Sequence, residues 1–237
     1  MTVEAVIFDW GGTITPWHQI DLRAQWLAYT EVYDPSRAGA LADRLLAAED
    51  DAWVLTRDHH QSGRLSEIFE AAGVTPSGPL HERALAAYES GWDAHTEADP
   101  EAVPLFRALR ARGLRIGILS NTMWTREHHE RIFARDGLLE LIDGAVYSSE
   151  IPTTKPHAQA FEAALDALGV SDPSRAVFVG DRLFEDIHGA QTAGMWAVHI
   201  PHSDIPQAQR GHTEGEPDAV ISSLLELLDH VDRWSVG

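Results

Sequence analysis

Hydrophobic positions run along this chain in two rhythms. Val3 to Phe8 is a short apolar run, rich in β-branched and aromatic residues, and it predicts a buried strand. From residue 19 to 95 the spacing becomes helical. Leu22, Trp26, Tyr29 and Tyr33, then Leu41, Leu45, Ala48, Ala52 and Leu55, recur every three to four positions. Two further helical stretches follow near 64–72 and 79–95, parted by Gly73, Pro76, Gly78 and Pro79. Four helices with no strand among them predict a helical insert.

Beyond residue 99 strands return, and helices follow them. Asp99-Pro100 reads as an N-cap with proline at the first helical position; Val103, Phe106 and Leu109 line one face, and Gly113 stops the helix. Strands are predicted at 114–119, 145–147, 176–179, 196–200 and 219–221. Helices are predicted near 124–135, 156–168 and 185–193, and a last one carries Leu224, Leu228 and Val231. This alternation predicts an α/β fold, a parallel sheet covered on both faces. Residues 1–15 and 97–237 form its core, and 16–96 the inserted helical unit.

Length and composition fit that reading. A chain of 237 residues with 44% apolar content and a mean hydropathy of −0.22 has material for one large domain with a smaller one inserted. No run approaches 18 apolar residues, and Met1-Thr2-Val3-Glu4 has no basic region, so neither a membrane span nor a signal peptide is expected. The absence of cysteine excludes disulfides and thiolate metal sites, and a cytoplasmic location is the default. A net charge of −19 repels nucleic acid and anionic lipid, so neither is an expected partner. It repels phosphorylated ligands too, so any phosphate site must create its own local positive potential. Of the 18 basic residues only Lys155 is a lysine. Oligomeric state leaves no mark in the sequence.

Ligands of open parallel sheets bind beyond the carboxyl ends of the strands. After the first predicted strand come Asp9-Trp10-Gly11-Gly12-Thr13, and after the second Ser120-Asn121-Thr122. Lys155-Pro156 follows the third at a short distance; Gly180-Asp181, and Asp186 beyond, follow the fourth. Each segment alone is an ordinary turn, helix cap or surface charge. Together they bring a carboxylate nucleophile, an anion-binding hydroxyl, a cation and metal-binding acids to one edge, which is what phosphoryl transfer needs.

These segments resemble, in order and spacing, the four motifs of the haloacid dehalogenase-like superfamily, and the resemblance runs over essentially the whole chain. It implies a Rossmann-like core with a helical cap inserted after the first motif. It also implies a phosphatase acting on a small phosphorylated metabolite. Asp9 would be the nucleophile that forms an aspartyl-phosphate. Mg2+ would be held by Asp9, Asp181, the backbone carbonyl of Gly11, and Asp186 directly or through water. Ser120, Lys155 and backbone N–H groups around Trp10, Gly11, Gly12, Thr13 and Asn121 would cradle the phosphoryl group. Lys155 would also contact Asp9, a task for a compact ammonium rather than a planar guanidinium.

One position departs from the family. Its phosphatases carry a second aspartate two residues after the nucleophile, as proton shuttle; here Gly11 stands there. General acid–base catalysis contributes roughly 10²–10⁴-fold. The resemblance therefore implies an enzyme that is slow or prefers good leaving groups, with His18 at the entry to the cap a candidate substitute base. The alternatives are a phospho-ligand-binding protein without turnover and a haloacid dehalogenase. Dehalogenases of the family usually lose the Gly-Asp pair that this chain keeps at 180–181. Phosphonoacetaldehyde hydrolases need a cap lysine that it lacks. Trp26, Trp53 and Trp92 stand at helical spacings that suit core packing. The pairs His59-His60 and His128-His129 point apart on their helices and read as solvated surface.

Overall fold

A computed structural model of the chain describes residues 2–17, 19–201 and 214–235. Its centre is a six-stranded parallel sheet: β1 (Ala5–Phe8), β2 (Arg115–Ser120), β3 (Gly144–Tyr147), β4 (Ala176–Gly180), β5 (Trp196–His199) and β6 (Ala219–Val220). The strand order is β3-β2-β1-β4-β5-β6, the doubly wound arrangement with β1 at the centre. Phe8 pairs with Ile118 on one side and Val179 on the other, which aligns the carboxyl ends of β1, β2 and β4.

Successive side chains of β1 point to opposite faces. Val6 and Phe8 enter one apolar layer with Phe106, Leu109, Phe133 and Leu227. Ala5 and Ile7 enter the other with Phe161, Leu165, Leu168 and Phe178. The first layer is closed by α5 (Ala102–Ala111), α6 (Arg126–Arg135) and α9 (Leu227–Ser235), the second by α7 (Ala158–Leu168) and α8 (Gly189–Thr192). Burial on both faces explains why β1 reads as a continuous apolar run rather than an alternation.

The segment between β1 and α5 is helical, as its periodicity predicts: α1 (Leu22–Tyr33), α2 (Ala38–His59), α3 (Leu65–Ala71) and α4 (Pro79–Trp92). These helices bury their own apolar cluster, with Trp26, Tyr29, Leu45, Phe69 and Tyr88 at its centre and Met123 reaching in from beyond β2. Two chain crossings are not their only link to the sheet. Gln61 bridges Thr153 in antiparallel fashion. The Thr154 N–H donates to His60 O at 3.1 Å, Leu65 N–H to Met123 O at 2.9 Å, and Arg64 Nε to Ser149 O at 3.0 Å. This seam ends one residue before Lys155. Among the described residues no helix is long and apolar enough to cross a membrane.

Candidate active site

Four strand ends build the site. The Asp9 N–H donates to Val179 O at 2.9 Å, which fixes the first residue past β1 against β4. Ser120 ends β2 and is buried. Asn121 clamps the backbone of Lys155: its Nδ2 donates to Lys155 O at 3.0 Å and its Oδ1 accepts from Lys155 N–H at 2.8 Å. The Asn121 side chain is thereby committed to positioning the lysine. Asp186 lies in a π-helical turn (Leu183–His188) after β4, a form of helix often found at functional sites. Its Oδ2 accepts from the Arg182 N–H at 2.9 Å. A Cβ on Gly180 would stand 2.3 Å from that oxygen, so only glycine lets the carboxylate pack down on the strand end.

Lys155 Nζ lies 2.7 Å from Asp9 Oδ1 and 2.7 Å from Asp186 Oδ1, with the Phe178 ring 5.2 Å beneath it. Burial alone would lower the ammonium's pKa. The two bonded carboxylates outweigh burial and raise it above its ordinary value. Asp9 is pushed up to about 6, mainly by burial and further by Asp186, with Lys155 pulling the other way. Asp181 is the extreme case. It is held well above the usual carboxylate range by burial first, with Arg182 opposing and Asp186 and Asp9 adding to it. Both of its carboxylate oxygens are buried without a hydrogen-bond partner.

Asp9, Asp181 and Asp186 each present an oxygen, all within 4.8 Å of one another. Three buried carboxylates are opposed by two cations, the Lys155 ammonium and the Arg182 guanidinium, and no hydrogen bond reaches either oxygen of Asp181. An all-oxygen donor set with surplus negative charge fits a hard divalent cation. Gly12 makes room for the Asp181 carboxylate: at φ +99° it has no side chain, and a Cβ there would stand 2.3 Å from Asp181 Oδ2.

Above these groups lies a cavity of about 70 Å3, room for several waters or a small ligand. Its floor includes Asp9, Trp10, Gly11, Ser120, Asn121, Lys155 and Asp186; α2 contributes Glu49 and Trp53 to its roof. The expected site residues thus divide. Gly12 faces Asp181, and Thr13 is buried with its hydroxyl unpartnered; neither residue, nor Asp181, lines the cavity. Arg182 and Glu185 do line it and were not expected. Their only sequence signal was their place beside Asp181 and Asp186.

The structure alters two expectations. His128 and His129 are buried, not solvated. The two do point apart, but both directions are occupied. His128 Nδ1 is 3.3 Å from Glu89 of α4, and His129 stacks on Tyr147 and bonds Thr122 Oγ1 at 2.9 Å. Burial drives His129 well below its usual pKa. Trp26 is core, as its spacing suggests, but Trp53 and Trp92 also line the cavity. Gly11 lacks the positive φ that would forbid a side chain; a Cβ there would instead meet the Trp17 indole nitrogen at 3.0 Å. His18 lies outside the described residues.

A family model described as haloacid dehalogenase-like hydrolase matches residues 3–194. The chain belongs to the haloacid dehalogenase-like hydrolases. The glyceraldehyde 3-phosphate phosphatase of Methanopyrus kandleri is 28% identical over 229 residues, covering 97% of each chain. A phosphatase of Mycobacterium tuberculosis is 31% identical over 235 residues, 97% of this chain and 98% of that one. Among solved structures, the 2-haloacid dehalogenase of Pseudomonas syringae superposes with a TM-score of 0.67 at 25% identity, covering 98% of this chain and 100% of the other. The dehalogenase-like hydrolase fold thus extends over both the sheet and the helical insert.

Proposed function

We propose that this hydrolase is a divalent-metal-dependent phosphatase of small phosphorylated metabolites, with residues 1–15 and 97–237 as catalytic core and 16–96 as cap. The observation that carries the reading is Asp181. Its two buried oxygens beside Asp9 and Asp186 make poor sense without a bound metal cation, since Lys155 is engaged by the other two acids and Arg182 acts on Asp181 without a hydrogen bond to it. Relatives bearing phosphatase names over nearly the full chain support the substrate class.

In this reading Asp9 attacks phosphorus with its free oxygen, the bond from phosphorus to the ester oxygen breaks, and the phosphoryl group passes to Asp9. Water then cleaves the acyl phosphate and returns the carboxylate. Lys155 orients Asp9 and offsets charge on the transferring oxygens, and the Ser120 hydroxyl with backbone N–H groups at Trp10 to Thr13 and Asn121 completes the cradle. Mg2+, held by Asp9, Asp181, Asp186 and the Gly11 carbonyl, would supply the remaining charge neutralisation. The proton for the leaving oxygen has no donor at position 11, where the Trp17 ring takes the space.

That last observation favours a second reading, a protein that captures phosphorylated ligands and turns them over barely or not at all. Hydrolysis of an aryl phosphate decides between them. Magnesium should support it, EDTA should abolish it, and Asp9→Asn should be inactive while still folded. Activity persisting in Asp9→Asn removes the nucleophile assignment; no turnover of any ester by the native protein leaves the binding reading.

A further inference from the structure

The cavity has two chemically different ends. Its floor carries Lys155 and Arg182; its roof and walls carry Trp17, Trp53, Trp92 and Trp124, with the single carboxyl group of Glu49 among them. We propose that this roof recognises a cation, so that the substrate is a phosphomonoester whose alcohol part bears an amino or quaternary ammonium group. This rests on the phosphatase reading and extends it to the leaving group.

Glu49 is a partly buried residue of α2, held in place by Trp26 Nε1, which donates to its Oε2 at 2.7 Å. The Trp53 indole, one turn further along α2, also favours its charged form. Among the described residues no lysine, arginine or histidine pairs with it. The contrast with Glu185 on the same cavity is direct, because there Arg182 opposes the effect of burial. Burial pushes Glu49 up to about 7; the Trp26 bond only partly offsets this, and the nearby Asp50 adds to it. A carboxylate in such a place lacks a counter-charge, and a ligand cation would supply one.

The surrounding rings suit the same ligand. Indole faces attract ammonium and quaternary ammonium groups, most strongly where water is excluded. Trp92 packs edge-on with Trp124 at 5.0 Å and with Trp17 at 6.3 Å, so the rings form one fixed wall. A neutral sugar would find stacking surface here but would leave the Glu49 carboxylate without a counter-charge. A small cation would use both features at once.

The test compares phosphocholine and O-phosphoethanolamine with neutral esters of matched shape, 3,3-dimethylbutyl phosphate and propyl phosphate. Hydrolysis by the magnesium-loaded native protein should favour the cationic esters in kcat/KM by at least about tenfold. Glu49→Gln retains an acceptor for the Trp26 indole and should melt as a folded protein, yet lose most of that preference. Calorimetric titration of Asp9→Asn with phosphocholine and its neutral isostere should show the same order of affinity without turnover. Equal or better use of the neutral esters, or a preference untouched by Glu49→Gln, overturns the cation site and leaves the phosphatase intact. Cation-selective binding with no hydrolysis of any ester overturns the phosphatase and leaves the cation site.

Discussion

Replacing Gly11 by aspartate restores the residue that the family's phosphatases use as proton shuttle, and the structure says why that alone should disappoint. Gly11 does not have a positive φ, so its backbone accepts a side chain. The obstacle is Trp17. A Cβ at position 11 would stand 3.0 Å from its Nε1, 3.4 Å from Cε2 and 3.5 Å from Cζ2. An aspartate extends its carboxyl group one further bond of about 1.5 Å into that space. The indole must turn, and Trp17 leans edge-on against Trp92, itself a buried residue. We therefore expect Gly11→Asp to gain little on alkyl phosphates and to lose stability. In a Trp17→Ala background the space opens. There Gly11→Asp should raise alkyl ester turnover, bounded by the ~10²–10⁴-fold range of general acid–base catalysis. Trp17→Ala itself should cost about 1–3 kcal/mol of stability, less than a fully buried tryptophan because Trp17 is only partly buried. The assay is a double-mutant cycle: kcat for alkyl and aryl phosphates of graded leaving-group pKa, with a denaturant melt of each variant. Native protein should depend steeply on leaving-group pKa, the double variant weakly. If the native protein turns over alkyl esters briskly with no such dependence, another group already supplies the proton. If Gly11→Asp alone matches the double variant, Trp17 is no obstacle.

Other substitutions probe the remaining pieces. Lys155→Arg should lose nearly as much activity as Lys155→Ala, because Nζ sits 2.7 Å from two carboxylates in a fully enclosed spot where a guanidinium does not fit; steady-state rates check this. Asp181→Asn should raise the melting temperature in EDTA, since it removes a buried carboxyl that must either stay charged beside two acids or take up a proton, and should shrink the rise that magnesium brings. An equal magnesium-induced rise in both proteins would remove Asp181 from the metal site. Glu49 has a folded pKa raised from 4.5 to about 7, so the folded state holds its proton more tightly than the unfolded one. Stability should therefore fall as pH rises from about 4.5 to 7 and level off above, by at most about 3 kcal/mol from this group. In Glu49→Gln that component of the pH profile should vanish.

The sheet was legible because buried parallel strands announce themselves as apolar runs ending in Asp9, Ser120 and Gly180, and helical periodicity marked α1 to α4. The acidic cluster with its lysine was legible because each member sits at a strand end or in the segment that follows one, where chain order already implies position. What stayed hidden depends on contacts across long stretches of sequence. Nothing in the order of residues says that Trp17 folds back over Gly11, or that Glu49, a lone acid on an amphipathic helix, faces the same cavity as Asp9. His128 and His129 misled for a related reason. A helix wedged between a sheet and a second helical layer buries neighbouring positions that would be split between inside and outside on a one-sided helix. The π-helical turn around Asp186 likewise has no periodic signature short enough to read.

The seam between the helical layer and the loop before Lys155 bears on how such a protein can be remodelled. An insert attached only through its two chain ends could be exchanged like a cassette, leaving the chemistry behind it untouched. Here the backbone of residues 60–65 is hydrogen-bonded to residues 123 and 152–154, and the Arg64 side chain to Ser149. Excision of the insert would strip partners from the carbonyl of Met123, two residues past Asn121, and from the N–H of Thr154, next to the lysine. A chimaera carrying a foreign helical unit must therefore rebuild those pairings, or it inherits a loosened ammonium along with its new specificity.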